Sequence, residues 1–247
     1  MKRTILHVIS LLLSAILVLC LAACGEGEKR DEPLTTKETS DHTSTAQETI
    51  FNVPVETIMD PGSVTQDSFY VFGKYEQDGN TENGPEPIEW IILHREDGKV
   101  LLLSRYALST EQFNSVMWEG CTWEKSSLRN RLNTGFYGQS FEQAEKEMIA
   151  ETEVLTDGKV TKDKVFLLST EEVEKYMPAE EIRPVIYALY AHDQEKIDSG
   201  EAYVTWWLRS EYNNTRKAAV DHKGEIVPNY PFNGGNVRPA IWIYDEP

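Results

Sequence analysis

Two segments near the C-terminal end of the chain carry the side chains best suited to recognising a polar ligand. Side chains alternate across a strand, so residues 203–210 and 237–244 each predict an aliphatic face and a face of aromatic rings and arginine. We expect the two strands to lie side by side, with their indole rings and guanidinium groups in one layer. This expected recognition face carries Trp207, Arg209, Arg238 and Trp242.

A loop between these two segments adds amide side chains to the candidate site. Residues 228–236 contain Asn229, Asn233 and Asn236 together with aromatic residues and two glycines. Aromatic faces stack on sugar rings, while amide and guanidinium groups orient hydroxyl groups. The three asparagines therefore join the two tryptophans and two arginines as candidate ligand-binding residues.

A structural role is the alternative interpretation of the same residues. An unpaired buried charge is costly, so Arg209 and Arg238 could instead hold loops against the sheet through forked hydrogen bonds. Asp221, Glu225 and backbone carbonyl groups are the acceptors that this alternative predicts. The loop would then be an ordinary long turn.

Motifs of catalysis, cofactor binding and metal binding are missing from the sequence. It contains no phosphate-binding glycine loop, no His-Glu-x-x-His motif and no nucleophile elbow. His94, His192 and His222 are far apart in sequence, so we expect no metal site, no cofactor and no catalytic residue. Carboxylates are abundant, and a pair at glycosidase spacing stays open because only a fold could bring it together.

The first 23 residues have the pattern of a secretory signal peptide. A basic start, an apolar run over residues 5–21 and small residues before Cys24 follow the order of an export signal. The sequence Leu-Ala-Ala-Cys is similar to the lipobox of bacterial lipoproteins, which implies that Cys24 is lipidated and becomes the new N-terminus. We therefore expect an extracytoplasmic protein anchored to the cell membrane through Cys24. The alternative is an ordinary cleaved signal with a coincidental cysteine.

Charge and cysteine content exclude several classes of partner. The sequence has a formal net charge of −17 at pH 7, and such an acidic surface repels phosphate groups. We therefore expect no nucleic-acid binding and membrane attachment through acyl chains rather than basic patches. Cys121 is the one cysteine beyond Cys24, so an intrachain disulfide is not expected.

Composition divides the chain into three parts. Residues 1–23 form the predicted signal peptide, and residues 24–66 are polar and acidic with almost no aromatic residues. Such a segment buries too little apolar surface to offset chain entropy, which predicts a disordered tether. Residues 67–247 predict one globular domain.

Local patterns predict several elements inside this domain. Residues 88–93 and 100–104 flank an Asp-Gly pair, which favours a β-hairpin. Residues 164–168 are apolar and predict a buried strand, and residues 169–172 form a capping box that opens a helix. Residues 184–191 predict a further short helix.

Seven short motifs, in their order and spacing, resemble the DUF6273 family, whose members are surface and secreted proteins, mainly of Firmicutes. That family has no established function and implies no catalytic residue. The two last motifs also resemble the terminal strands of C-type-lectin-like and formylglycine-generating-enzyme-like domains. This implies a single α+β domain with C-type-lectin-like mixed and antiparallel sheets and a few short helices. The motifs lie at residues 72–75, 88–91, 101–104, 123–133, 163–169, 206–210 and 237–243.

The sequence departs from these families at functionally important positions. Glu211 and Tyr212 stand where the DUF6273 motif usually continues with Pro-Gly. Residues 227–229 lack the carboxylate of a lectin calcium site, and Cys121 cannot supply the paired cysteines of the formylglycine-generating enzymes.

These observations predict a lipid-anchored cell-surface protein with a non-catalytic domain that binds a glycan or a protein. Two alternatives stay open. One is an extracytoplasmic hydrolase that acts on cell-wall or other extracellular polymers, and the other is a structural or assembly lipoprotein.

Overall fold

The computed structural model describes residues 69–116 and 121–245, all within one compact unit. These residues form thirteen strands and five short α-helices, so the predicted α+β class is confirmed. The strands are β1 (Tyr70–Tyr75), β2 (Glu86–Glu96), β3 (Lys99–Ser104), β4 (Ser109–Gln112), β5 (Thr152–Thr156), β6 (Lys159–Asp163), β7 (Val185–Ile186), β8 (Tyr203–Val204), β9 (Trp206–Asn213), β10 (Arg216–Val220), β11 (Ile226–Asn229), β12 (Gly234–Val237) and β13 (Ala240–Tyr244). The helices are α1 (Ser127–Arg131), α2 (Tyr137–Ser140), α3 (Gln143–Met148), α4 (Thr170–Tyr176) and α5 (Gln194–Ser199).

Most of the strands belong to two sheets. The first sheet is antiparallel and has the order β1-β2-β3-β13. The second has the order β11-β10-β9-β12-β4, in which β12 runs parallel to β9 and the other described pairs are antiparallel. The pairs β5–β6 and β7–β8 form two small antiparallel ribbons.

Four fully buried tryptophans lie in the hydrophobic core, where side chains of both sheets pack. Each indole N–H also donates a hydrogen bond to an acceptor on another element, so burial leaves no indole donor unpaired. The pairs are Trp90 to the Phe72 carbonyl, Trp123 to the Asp163 carboxylate, Trp206 to the Arg183 carbonyl and Trp207 to the Glu111 carbonyl.

Two local structures predicted from short-range sequence signals are confirmed. Strands β2 and β3 pair as the predicted hairpin, and Asp97 and Gly98 both have positive φ angles in its turn. The capping box is also present, because the Ser169 hydroxyl accepts from the Glu172 N–H and the Glu172 carboxylate accepts from the Ser169 N–H.

Two predicted elements are wrong. Residues 164–168 do not form a strand, and only Phe166 makes a bridge, to Ala240 of β13. Residues 184–191 contain β7 and a 3₁₀ turn at Ala188–Tyr190 instead of an α-helix. The predicted signal peptide, Cys24 and the tether at residues 24–66 lie outside the described residues.

Two connections cross from one sheet to the other side by side. The chain passes from β3 into β4, and from β12 into β13 through Arg238 and Pro239. The N–H of Ser104 donates to the Pro239 carbonyl and the N–H of Leu108 to the Val237 carbonyl, both over 2.9 Å. Pro239 has no N–H for a ladder, so the strand predicted at residues 237–244 breaks at this corner.

The turn between β10 and β11 is tightly packed at Gly224. Its φ is +89°, and a Cβ there would overlap the backbone carbonyl of Glu180. Gly98 has a similar φ of +70°, but no atom lies within 4 Å of its would-be Cβ. We expect Gly98→Ala to lower the free energy of unfolding by about 1–2 kcal/mol, and Gly224→Ala by about 1–3 kcal/mol more.

Urea unfolding of the full chain measures both variants, and Gly98→Ala is the matched control for the positive φ. Equal losses in the two variants would contradict the close contact between the turn and the Glu180 carbonyl.

Candidate functional site

The structure does not bring the predicted recognition residues into one layer. Strand β9 carries Trp207 and Arg209 in the second sheet, whereas β13 carries Trp242 in the first sheet. The expectation that these strands lie side by side is therefore wrong. The physical reason is the corner at Arg238 and Pro239, which turns the chain out of the second sheet after β12.

The two predicted tryptophans have different surroundings. Trp207 is fully buried, donates to the Glu111 carbonyl over 2.8 Å and packs so closely on Gly235 that a Cβ there would overlap the indole. Trp242 is partly buried and makes an edge contact with His94, with ring centroids 6.4 Å apart. Trp207 therefore contributes to packing and offers no face to a ligand.

Arg209 is a structural residue. It is buried, and its five N–H donors are all used: Nε donates to Thr156 Oγ1 (2.8 Å), the two Nη groups donate to the carbonyls of Leu167 (2.6 Å) and Leu155 (3.2 Å), and both also donate to the Glu172 carboxylate. The structural alternative is thus the one that its geometry supports, with Glu172 as the partner that the sequence did not reveal.

Arg238 is also buried, with 3% of its surface exposed, but its bonding differs. Its Nε donates to the Ser104 carbonyl over 2.8 Å, and its guanidinium carbon lies 5.1 Å from the centre of the Trp206 ring. Nη1 is buried and has no hydrogen-bond partner among the described residues. Burial lowers the pKa of Arg238 to about 9, so its guanidinium is still charged at neutral pH.

The three predicted asparagines separate into two groups. Asn236 supports the backbone, because its Nδ2 donates to the Thr205 carbonyl over 2.9 Å and its Oδ1 accepts from Thr110 Oγ1 over 2.8 Å. Asn229 ends β11 and Asn233 lies in the loop that follows, with 3.5 Å between Asn233 Nδ2 and Asn229 Oδ1. Neither predicted acceptor, Asp221 or Glu225, pairs with the two arginines; Asp221 instead caps its own turn.

A solvent-facing groove lies beside this loop, and we call it the aromatic groove. Its volume is about 400 Å³. It brings together the end of β9, the start of β10 and the loop after β11. Its lining residues are Cys121, Thr122, Glu211, Asn213, Asn214, Thr215, Arg216, Lys217, Tyr230, Pro231 and Phe232.

The aromatic side of this groove consists of Tyr230 and Phe232. Their rings are stacked with centroids 5.4 Å apart, and the two residues are 40% and 38% exposed. The guanidinium of Arg216 lies 4.1 Å from the Tyr230 ring centre and donates to its hydroxyl over 2.5 Å. The composition of the loop predicted a binding role, but sequence analysis assigned that role to the asparagines of the loop rather than to these exposed rings.

The floor of the groove holds a buried cation. Lys217 is fully buried, with its Nζ 3.5 Å from Glu211 Oε1, 4.0 Å from Asp157 Oδ2 and 5.2 Å from the ring centre of Phe113. Burial lowers the pKa of Lys217, while the nearby Glu211 and Asp157 carboxylates oppose that shift. The two carboxylates therefore compensate a buried charge of the chain itself.

Glu76, Asp78 and Glu86 are the acidic group among the described residues that is close enough to share a cation, with ligand atoms within 4.8 Å of one another. Asp78 and Glu86 already accept hydrogen bonds from their own loop, from Asn80 N–H (2.7 Å) and Gln77 N–H (2.7 Å), whereas Glu76 Oε1 is buried without a hydrogen-bond partner among the described residues. The cluster lies at the surface and matches no predicted site.

A histidine–carboxylate pair occurs on β2, where His94 Nε2 lies 3.3 Å from Glu96 Oε2. Both side chains are substantially exposed, and neither lines the aromatic groove. The groove itself presents amides, aromatic rings and the Arg216 guanidinium, while its Lys217 and Glu211 pair with each other. This arrangement is suited to holding a ligand and gives no specific support to chemistry on one.

Comparison with protein-family models identifies the family of the chain. Residues 97–244 match the model of a domain of unknown function, DUF6273, so the chain belongs to that family. The match runs from the turn before β3 to the end of β13 and leaves β1 and β2 outside. Searches of curated proteins and of solved structures found no match. No helix in the described part of the chain is long and apolar enough to cross a membrane.

The Arg209–Glu172 pair predicts a large effect on stability. Replacing one partner leaves the other charge uncompensated, so we expect Arg209→Met to lower the free energy of unfolding by about 3–5 kcal/mol. Arg131→Met is the matched control, because Arg131 is half exposed and forms a surface ion pair with Glu111; its cost should be at most about 1 kcal/mol. Urea unfolding of the full chain measures both, and similar small losses would refute the structural role of Arg209.

Proposed function

We propose that this protein is a non-catalytic, surface-displayed domain that binds a glycan in the aromatic groove. The observation that carries the proposal is the exposed, stacked pair of Tyr230 and Phe232 beside the groove. Exposed apolar patches on soluble domains often mark binding sites, and sugar rings present C–H faces that pack on aromatic surfaces.

The polar side of the groove complements this aromatic pair. Asn213, Asn214 and Thr215 line it with amide and hydroxyl groups, which donate to and accept from sugar hydroxyls. Arg216 is held against Tyr230 and lines the same groove. An open groove suits an extended polymer better than an enclosed cavity does, which agrees with a domain that meets wall or matrix glycans.

The location of the protein is part of the same proposal. A signal peptide at residues 1–23, a lipid on Cys24 and a flexible tether at residues 24–66 would hold the domain outside the cytoplasmic membrane, within reach of extracellular glycans. The membrane is then a partner through lipidated Cys24 alone. A C-type-lectin-like relationship for the fold rests on the resemblance of the β9 and β12–β13 motifs and is likewise proposed.

An assembly role is the second candidate, and one observation favours it. Leu155 and Val160 face each other across the β5–β6 ribbon and are 61% and 59% exposed. Exposed apolar residues at an edge ribbon are a common feature of protein contacts. The hydrolase alternative lacks such support, because Glu211 and Asp157 compensate Lys217.

Binding to a glycan array by the full chain tests the groove. We expect Phe232→Ala and Tyr230→Ala each to weaken binding to the recognised oligosaccharide at least tenfold, about 1.4 kcal/mol, because each removes exposed aromatic contact. Tyr244→Ala is the control, since Tyr244 is 44% exposed on the first sheet, outside the groove.

Glycan arrays run with and without calcium also test whether binding depends on this ion, because residues 227–229 lack a lectin-type calcium ligand. Binding that is lost equally in all three variants, or no glycan binding at all, would refute the groove as the recognition site.

Cys24→Ser tests the membrane anchor separately from the groove. Without a thiol no thioether to lipid forms, so we expect cells grown with a labelled fatty acid to incorporate the label into the wild type and not into the variant. Cys121→Ser is the control and should be labelled as the wild type is. Undiminished labelling of Cys24→Ser would contradict lipidation at that residue.

A further inference from the structure

A second cavity, separate from the aromatic groove, lies between β2 and the chain segment that runs from the end of α4 to β8. Its volume is about 270 Å³, and it shares no lining residue with the groove. Ten of its fifteen lining residues are apolar, three are tyrosines and two are arginines. We call it the arginine cavity, because Arg105 and Arg238 supply its charge.

Arg238 is the unusual member of this lining. Its surroundings are apolar, and burial alone accounts for its lowered pKa, with no carboxylate contribution. The guanidinium makes one hydrogen bond to a described residue, from Nε to the Ser104 carbonyl, and Nη1 is buried without a partner. A buried cation in this state costs free energy that a bound anion would recover.

The second arginine is already neutralised. Arg105 Nη1 pairs with Glu89 Oε2 over 2.7 Å, and its guanidinium lies 4.2 Å from the Phe69 ring centre and 5.1 Å from that of Tyr106. Glu89 is therefore engaged at Arg105 and leaves Arg238 as the unneutralised cation of the cavity lining.

From this combination we propose that the arginine cavity binds a small organic carboxylate with an apolar body. The carboxylate accepts hydrogen bonds from the Arg238 guanidinium, a geometry for which arginine is preorganised. The apolar body packs on aliphatic side chains such as Ile92, Val185 and Ile197. This site is independent of the glycan groove.

The size of the cavity limits the ligand. About 270 Å³ corresponds to roughly nine water molecules at about 30 Å³ each, so a ligand of about ten non-hydrogen atoms fits. Octanoate and 3-phenylpropanoate have this size and chemistry. A sugar phosphate or a free phosphate would place polar groups against the aliphatic walls without partners, which disfavours both.

Titration calorimetry on the full chain in lipid nanodiscs tests the proposal, with octanoate as the probe and empty nanodiscs as the blank. Octan-1-ol has the same apolar body without the charge, and inorganic phosphate has the charge without the body. We expect octanoate to bind at least tenfold more tightly than octan-1-ol, and phosphate to show no binding.

Variants assign the effect to residues. Arg238→Met should weaken octanoate binding at least tenfold and leave octan-1-ol binding within twofold, whereas Arg131→Met should change neither. Ala191→Trp places an indole in the cavity lining and should weaken both ligands. Circular dichroism melting confirms that each variant is folded.

Equal affinity for octanoate and octan-1-ol, undiminished octanoate binding by folded Arg238→Met, or no octanoate binding by the wild type would each overturn the proposal. If Arg238→Met does not fold, the comparison of ligands on the wild type and the Ala191→Trp variant decide it. The glycan array is unaffected by any of these outcomes, so the two proposed sites are tested independently of each other.

Discussion

The paired crossing between the two sheets is the constraint on which the rest of the structure depends. A buried backbone group must keep a hydrogen-bond partner when the chain leaves a ladder. Here the two crossing connections satisfy each other, with Ser104 N–H bonded to the Pro239 carbonyl and Leu108 N–H to the Val237 carbonyl. This crossing fixes β13 beside β3 and β12 beside β9 and β4. It also forces the side chain of Arg238, between Val237 and Pro239, into the interior.

That interior position explains why two arginines in similar sequence motifs have different surroundings. Arg209 lies within β9, where two residues of β5, the Leu167 carbonyl and Glu172 supply acceptors for all five of its donors. Arg238 lies at the corner, where the adjacent backbone is already paired across the crossing, and among the described residues its guanidinium donates to the Ser104 carbonyl alone. A fully paired guanidinium stabilises the fold, whereas a partly paired one retains donors for another molecule.

Signals that act over a few residues predicted structure correctly, and signals that depend on distant contacts did not. The Asp97-Gly98 turn and the capping box at Ser169 and Glu172 need only neighbouring atoms, and both occur as predicted. Alternation along a strand gives the face of Trp207 but not its sheet or its depth. The partner of Arg209 is 37 residues away in sequence, so no spacing rule could identify it.

The candidate binding surfaces follow the same division. Loop composition indicated the right segment of the groove, but exposure of Tyr230 and Phe232 is a tertiary property that only the fold reveals. The arginine cavity was beyond sequence analysis altogether, since its walls come from both ends of the domain, from β2 to the β12–β13 corner.

The acidic composition of the chain bears on why Arg238 has so few hydrogen-bond partners. Asp and Glu number 41 against 24 Lys and Arg. The buried Lys217 and Arg209 have carboxylate partners, and the buried Arg183 donates to three backbone carbonyls instead. Arg238 has neither arrangement, because its guanidinium donates to one carbonyl among the described residues. A buried charge with so few partners raises the free energy of the folded state, and apolar replacements of similar volume would avoid that cost. An anion from outside the chain is the partner that reconciles this residue with its surroundings.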